Sequence, residues 1–138
     1  MSDPATAQTI NRLTEMPRAE FEQLVVDLYC ALGHSARRIG ESSSRDFDIV
    51  IVAKSGQHWI VLCKQWRGAV GETVVREFHA AMIREHAAQG AIITTAHFTP
   101  KAVQWAQGKS IHLYDGLAFL QVWQRIKGPL DLDTDEHR

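Results

Sequence analysis

The feature that most constrains the fold is a pair of apolar segments, "DFDIVIVA" (46–53) and "HWIVLCKQW" (58–66), separated by "KSGQ". Both segments are rich in β-branched and aromatic residues, which favours strands, and Gly56 suits the turn between them. They are apolar at nearly every position rather than at alternate ones. That pattern is typical of central strands covered by helices on both faces of a sheet. The pair therefore predicts a buried β-hairpin.

Patterns on either side of the hairpin predict an α/β fold. Apolar spacing in "PRAEFEQLVVDLYCALG" indicates an amphipathic helix that ends at Gly33. The other predicted elements, in order, are the strand "SARRI", a helix after the hairpin, the strand "AIITTA", a helix with Thr99 as N-cap, the strand "IHLYDG" and a closing helix. We expect a mixed β-sheet, an antiparallel meander continued by parallel strands, with helices on both faces.

The length of 138 residues and the 45% hydrophobic content fit a single globular domain. We place that domain at 13–128, between a mobile segment at 1–12 and an acidic tail at 129–138. No apolar run reaches the length of a membrane span, and no export signal is visible. Cys30 and Cys63 lie in apolar patterns, which predicts buried free thiols in a reducing cytoplasm. The net charge of -1 neither requires nor excludes a nucleic acid.

Hairpin geometry suggests one chemical site. A three-residue loop at 55–57 would pair Lys54 with His58, and would therefore place Asp48 opposite Lys64. A two-residue loop would turn Asp48 to the other face. A carboxylate and an ammonium at one end of a hairpin suit phosphodiester hydrolysis, in which the carboxylate holds a divalent cation. On spacing alone, a structural ion pair is at least as good an interpretation.

Longer stretches carry a family resemblance. "MPRAEFEQLVVDLYCALGHSARR", "DFDIVIVAKSGQHWIVLCKQWRGAVG" and "GAIITTAHFTPKAVQWAQGKSIHLYDG" together resemble the catalytic domain of Mrr-like restriction endonucleases, within the PD-(D/E)xK nuclease superfamily. The resemblance runs from about Leu13 to about Leu120. It implies a restriction-endonuclease-like sheet and cleavage of DNA, often modified DNA, with Mg²⁺ or alternatively Mn²⁺.

The resemblance also implies roles for individual residues. Asp48 is the principal metal ligand, Lys64 acts on the attacking water, and Glu22 helps to order the metal site. The backbone carbonyl of Cys63 is expected to face the same metal. The family's glycine-rich stretch before the aspartate is replaced here by "SSRD" (43–46).

A second departure from the family pattern leaves two interpretations open. Leu62 stands where the family has Gln, Glu or Asp, and a leucine offers no oxygen to a metal. In one interpretation Asp46, two residues before Asp48, supplies the missing oxygen and the chain is a working nuclease. In the other, Leu62 marks reduced or lost catalysis, which leaves a DNA-binding or partner-binding module.

Polar residues near the hairpin are candidate DNA contacts. These residues are Arg37, Arg38, Arg45, Gln65 and Arg67. Contact with phosphate and plain surface charge explain each of them about equally well. Cleavage of both strands would favour a homodimer, because one such domain carries one site. The chain shows no separate specificity domain, so a partner protein or weak selectivity is expected to determine the target.

Overall fold

The computed structural model describes residues 4–40, 46–130 and 132. Within these residues five helices and five strands form three layers, with one sheet between two layers of helices. The helices are α1 (Pro4–Glu15), α2 (Arg18–Ala31), α3 (Glu72–Arg84), α4 (Pro100–Ala106) and α5 (Gly116–Lys127). The strands are β1 (Ser35–Arg38), β2 (Ile49–Val52), β3 (His58–Lys64), β4 (Gln89–Thr94) and β5 (Ile111–Tyr114). None of these helices is long and apolar enough to cross a membrane.

The sheet has the strand order β1-β2-β3-β4-β5. β1, β2 and β3 are antiparallel neighbours, while β3, β4 and β5 are parallel neighbours. The predicted mixed sheet is therefore confirmed. One apolar core joins the sheet to α1, α2 and α5 through residues such as Phe21 and Phe119. The other core joins it to α3 and α4 through residues such as Phe78 and Ala102.

The N-terminal segment differs from the prediction. We expected a mobile segment through residue 12, but residues from Pro4 onward form α1. Leu13 is fully buried, and Ile10 packs against the same core. The expectation is wrong for the described residues because these two apolar side chains anchor the helix. Most of the expected acidic tail, residues 131 and 133–138, lies outside the described residues.

The hairpin has a three-residue loop rather than a two-residue one, but the loop begins one residue earlier than 55–57. The Ala53 N–H donates to the Gln57 carbonyl at 2.8 Å, so the loop is 54–56. Gly56 has a φ of 94°, the left-handed conformation that such a loop needs at its last position. The expected pairing of Lys54 with His58 is therefore wrong.

A bulge at the start of β2 sets the direction of Asp48. Ile49 is the register partner of Val61, and the Asp48 N–H also donates to the Val61 carbonyl, at 2.8 Å. Two residues thus oppose one, which is the arrangement of a β-bulge. The bulge turns Asp48 toward α2. Lys64 shares a face with Leu62, which packs in the α3 core, so Asp48 and Lys64 flank the end of the sheet from opposite sides.

Candidate active site

Two buried carboxylates meet at the junction of α2 with the end of the sheet. The side chains of Glu22 and Asp48 are only 4% and 5% exposed. Arg18 bridges them: its Nε donates to Glu22 Oε2 at 2.8 Å, and its Nη2 donates to Asp48 Oδ1 at 2.6 Å. One guanidinium therefore holds both predicted acids together.

The other oxygen of each carboxylate also accepts a hydrogen bond. Arg38 Nε donates to Glu22 Oε1 at 2.9 Å, and the Cys63 backbone N–H donates to Asp48 Oδ2 at 2.7 Å. Buried charges persist in proteins when they are paired and hydrogen-bonded in this way. We refer to Arg18, Glu22, Arg38 and Asp48 as the carboxylate–arginine cluster; its formal charges sum to zero.

Burial and pairing act in opposite directions on the cluster. Desolvation raises the pKa of Asp48 above its ordinary value, against the lowering effect of the Cys63 N–H and Arg18. Hydrogen bonds to Glu22 and then to Asp48 raise the pKa of Arg18 above its already high ordinary value. Arg18 therefore stays charged, and together with the Cys63 N–H it favours the ionised form of Asp48.

Arg18 was missed by the sequence analysis, although the sequence contains a signal for half of its role. Arg18 precedes Glu22 by four residues, and this spacing predicts an ion pair on one face of a helix. The contact with Asp48 joins residues 30 positions apart and depends on the bulge. No local pattern indicates it.

Cys63 contributes its main chain rather than its thiol. Burial, followed by the nearby acids Asp48 and Glu22, raises the pKa of the Cys63 thiol well above its ordinary value. The thiol thus stays protonated and packs against the α2 core, as expected, whereas the expected burial of Cys30 is wrong because Cys30 lies on the exposed side of α2. In an antiparallel ladder the N–H and C=O of one residue point to the same neighbouring strand. The Cys63 carbonyl therefore points to the side on which its N–H meets Asp48.

Lys64 lies on the α3 side of the sheet. Its Nζ is 5.0 Å from the centroid of the Trp66 ring. With Asp46, Leu62 and Glu77 it lines a cavity of about 50 Å³. Within the described part of the chain it forms no ion pair with a carboxylate, so the alternative interpretation of Asp48 and Lys64 as a structural ion pair is wrong. Its action on water stays a prediction.

Two buried threonines fix the strand that carries Lys64. Thr94 Oγ1 donates to the Lys64 carbonyl at 2.8 Å, and Thr95 Oγ1 donates to the Trp66 carbonyl at 3.0 Å. The Thr95 N–H also donates to the Lys64 carbonyl, at 3.1 Å. The sequence analysis did not identify them, although consecutive threonines at the end of an apolar strand are visible in "AIITTA". They hold the lysine's backbone while its side chain stays adaptable.

Asp46 is held by a different helix from Asp48. Its Oδ2 accepts a hydrogen bond from Arg84 Nη2 of α3 at 2.9 Å. The chain at 46–48 is bent, so the extended geometry that would point both aspartates to one side is not present. The structure does not bring Asp46 into the carboxylate–arginine cluster, and its role as a metal ligand stays a prediction.

Two candidate DNA contacts instead attach α1 to the sheet. Gln65 Nε2 donates to the carbonyls of Leu13 and Met16, at 2.9 and 2.8 Å. Arg67 donates to Glu15 Oε2 at 2.9 Å, and also to a second residue of α1. These contacts give both side chains a structural role. Their contact with DNA stays a prediction.

The three remaining candidate arginines differ in their surroundings. Arg38 belongs to the cluster, and its side chain is 32% exposed. Arg37 is exposed on β1, on the face opposite to Arg38. Arg45 lies outside the described residues, with most of "SSRD". Arg37 is therefore the described arginine of this set with the most accessible surface.

The oxygen donors at the cluster fit a divalent cation in kind. Mg²⁺ and Mn²⁺ prefer carboxylate and carbonyl oxygens, and Asp48, Glu22 and the Cys63 carbonyl supply both types. In the described part of the chain, however, no three His, Cys, Asp or Glu side chains gather around one point. Two carboxylates and one carbonyl are thus the donor set that the structure offers.

Comparison with known proteins identifies the family. The sequence model of the restriction endonuclease family defined by the Mrr catalytic domain matches residues 13–123. The chain belongs to this Mrr family. The type IV methyl-directed restriction enzyme EcoKMrr of Escherichia coli (strain K12) is 28% identical in an alignment of 124 residues that covers 84% of this chain and 41% of that enzyme. The chain thus spans less than half the length of this curated relative.

Solved structures share the fold of the Mrr-family chain. The MspJI restriction endonuclease, solved in complex with a 27-mer oligonucleotide, matches 97% of this chain and 35% of its own at a TM-score of 0.67 and 20% identity. The DNA modification-dependent restriction endonuclease AspBHI matches 91% of this chain and 36% of its own at a TM-score of 0.65 and 16% identity. At these identities the likeness establishes the fold alone.

Proposed function

We propose that this Mrr-family domain is a divalent-metal-dependent DNA endonuclease that hydrolyses phosphodiester bonds. The observation that carries the proposal is the pair of buried carboxylates, Glu22 and Asp48, beside the Cys63 main chain at the end of β3. β3 ends at Lys64, so acids and a lysine meet at one end of the central hairpin. Membership of a restriction endonuclease family supports DNA as the substrate.

Asp48, Glu22 and the Cys63 carbonyl would hold the cation, Mg²⁺ or Mn²⁺. When bound, such an ion neutralises phosphate charge and lowers the pKa of a coordinated water. The cluster keeps Asp48 oriented through the Cys63 N–H, which does not depend on any side chain. Burial of both acids excludes bulk water from one side of the reacting phosphate, which strengthens their electrostatic effect.

Lys64 would act from the opposite side of the sheet end. Its ammonium is not engaged by a carboxylate in the described structure, so it can donate hydrogen bonds to a phosphate oxygen or to the attacking water. Donors that face developing negative charge stabilise a transition state. The scissile phosphate would then lie across the end of the sheet, with the acids on the α2 side and the lysine on the α3 side.

A second candidate function is a non-catalytic DNA-binding or partner-binding module. Leu62 favours it, because this side chain is 5% exposed in an apolar cluster and contributes no oxygen. The arginines on both acids are a second observation in its favour, since they already neutralise the carboxylates. On this fold such a module would bind DNA in a salt-sensitive way without cutting it.

The decisive experiment uses supercoiled plasmid, methylated and unmethylated, with Mg²⁺, Mn²⁺ or EDTA. Wild type is compared with Asp48→Ala and Lys64→Ala. Lys109→Ala is the matched control, because Lys109 also lies over a tryptophan ring, that of Trp105 at 4.3 Å. Nicked or linear DNA that requires metal, Asp48 and Lys64 but not Lys109 supports the nuclease.

The products also test the proposed homodimer and specificity partner. Linear product formed together with nicked product indicates paired sites, whereas nicking alone indicates a single site. Cleavage that is equal on all plasmids indicates that target selection comes from elsewhere. DNA binding without cleavage in every condition would contradict the nuclease and support the non-catalytic binding module.

A further inference from the structure

A single guanidinium occupies both buried acids of the proposed site. Arg18 uses two different nitrogens, one on Glu22 at 2.8 Å and one on Asp48 at 2.6 Å. It therefore provides positive charge at the place where the proposed divalent cation would provide it. Arg18 takes one lone pair on each acid, and its positive charge repels a second cation brought to the same oxygens.

We propose that Arg18 competes with the divalent cation, so that the cation binds Asp48 and Glu22 only after Arg18 has been displaced. This inference rests on the proposed function in one respect: it concerns the same carboxylates. Arg18 is not a catalytic residue in this scheme. It sets the concentration of divalent ion at which the acids become occupied.

The surroundings of Arg18 allow it to leave while the acids remain. Arg18 is the first residue of α2, and its side chain is 59% exposed. Rotation into solvent therefore loses two hydrogen bonds but little packing. Glu22 and Asp48 are almost fully buried and cannot follow it. The guanidinium of Arg18, which competes with the divalent ion, is thus the member of the cluster that can move away.

Each acid keeps one hydrogen bond when Arg18 leaves. Glu22 retains Arg38 at 2.9 Å, and Asp48 retains the Cys63 N–H at 2.7 Å. These two contacts would hold the carboxylates in place, with one oxygen of each released to the cation. The apparent affinity for the cation is then its intrinsic affinity multiplied by the fraction of molecules in which Arg18 is displaced.

Direct titration of metal-free protein with Mn²⁺, without DNA, tests the competition. Calorimetry or the electron paramagnetic resonance of free Mn²⁺ gives the dissociation constant for wild type and Arg18→Gln. The matched control is Arg67→Gln, because Arg67 is 60% exposed and also donates to two acceptors, both on α1. We expect Arg18→Gln to bind Mn²⁺ at least about tenfold more tightly, a change of about 1.4 kcal/mol. Arg67→Gln should match wild type.

Arg18→Lys keeps the inference testable if the glutamine variant folds poorly. An ammonium is a point charge that cannot reproduce the fork of a guanidinium across two acids. We therefore expect a gain in Mn²⁺ affinity smaller than that of Arg18→Gln. Adding Asp48→Asn to either variant should abolish the gain.

Unchanged, weaker or absent Mn²⁺ binding in both Arg18 variants would overturn the inference, because Arg18 would then position the acids rather than compete for them. The titration needs no cleavage, so its result is independent of the plasmid assay. Protein that shows the expected gain but never cuts DNA would sustain the competition and refute the nuclease. Protein that cuts DNA but shows no gain in Mn²⁺ affinity would support the nuclease and refute the competition.

Discussion

The two sides of the sheet end hold their charges in contrasting ways. On the α2 side, Glu22 and Asp48 are buried, and every carboxylate oxygen accepts a hydrogen bond. On the α3 side, Lys64 lies over a tryptophan ring, and within the described residues neither it nor exposed Glu77 has an ion-pair partner. The difference indicates a fixed acidic half and an adaptable basic half. We expect the stability of the fold to depend on the acidic half, Glu22 and Asp48. We expect the positive charge offered to a substrate to depend on the basic half, Lys64.

The largest expected effect on stability comes from the fixed half. Asp48→Ala leaves the Cys63 N–H without its acceptor and Arg18 without one of its two acids. We expect the free energy of unfolding to fall by about 2 kcal/mol, the scale of an unsatisfied buried hydrogen-bonding group. Urea denaturation measures it. Asp27→Ala is the control, because Asp27 lies on α2, the helix that carries Glu22, and accepts an exposed hydrogen bond from Gln23. Equal effects of the two substitutions would contradict the contrast.

The next effect depends on pH. A carboxyl group whose folded pKa is raised, as for Asp48, gives stability that is present below its unfolded pKa of about 3.8 and is lost as the pH rises through the folded value. Arg18→Gln removes a cause that lowers this pKa, so burial acts with less opposition and the pKa rises further. The stability gap between wild type and the variant should therefore widen as the pH rises from the unfolded value of about 3.8 toward the alkaline side of the folded pKa.

Urea midpoints measured in metal-free buffer across that pH range give the gap directly. For comparison, Arg67→Gln should show a constant gap, since its ion pair with Glu15 is exposed on both sides. A gap that stays constant or narrows for Arg18→Gln would show that Arg18 does not sustain the ionised form of Asp48.

A smaller effect is expected where the family's metal-binding side chain is replaced by Leu62. Leu62→Gln places an amide in a cluster with Phe47 and Phe78, at a cost of about 1 kcal/mol. The same amide oxygen should increase metal-dependent plasmid cleavage. Leu62→Met, which keeps the volume and adds no oxygen, is the control. Equal cleavage rates for wild type and both variants would show that this position does not limit the reaction.

The smallest change in stability is expected for Lys64→Ala. The contact between its ammonium and the Trp66 ring is partly exposed, so its loss should cost no more than about 0.5 kcal/mol. Plasmid cleavage should nonetheless fall by about 100-fold or more, the effect of losing one oriented donor in a transition state. A variant that is both stable and fully active would remove Lys64 from the proposed site.

The sequence predicted the layout of the sheet well because hydrophobic patterning carries that information. It also located the turn at Gly56, which has the left-handed conformation, but it left the loop length open between two and three residues. It did not place Asp48, because strand periodicity assumes regular pairing and a bulge breaks the alternation at one residue. α1 was missed for a related reason: Leu13 is buried, and Ile10 partly buried, only through contacts with distant segments.

The predicted acids were located partly through the family resemblance, and their arginine partners were not. Arg18 reaches Asp48 across 30 positions of sequence, and Arg38 reaches Glu22 from a strand edge. Such contacts depend on how α2 packs on the sheet. Lys64 was expected on the same side as Asp48 because the prediction assumed regular pairing, and the bulge at Asp48 breaks that pairing.

The attachment of α1 to the sheet has a mechanical consequence. Gln65 and Arg67, the first and third residues after Lys64, donate to the last turns of α1, and α1 continues directly into α2 with its Arg18 and Glu22. The strand that carries Lys64 and the helix that carries Glu22 are therefore connected through α1. A displacement of α1 would shift both halves of the sheet end together. Cutting the chain between Met16 and Arg18 would disconnect them without removing any proposed ligand.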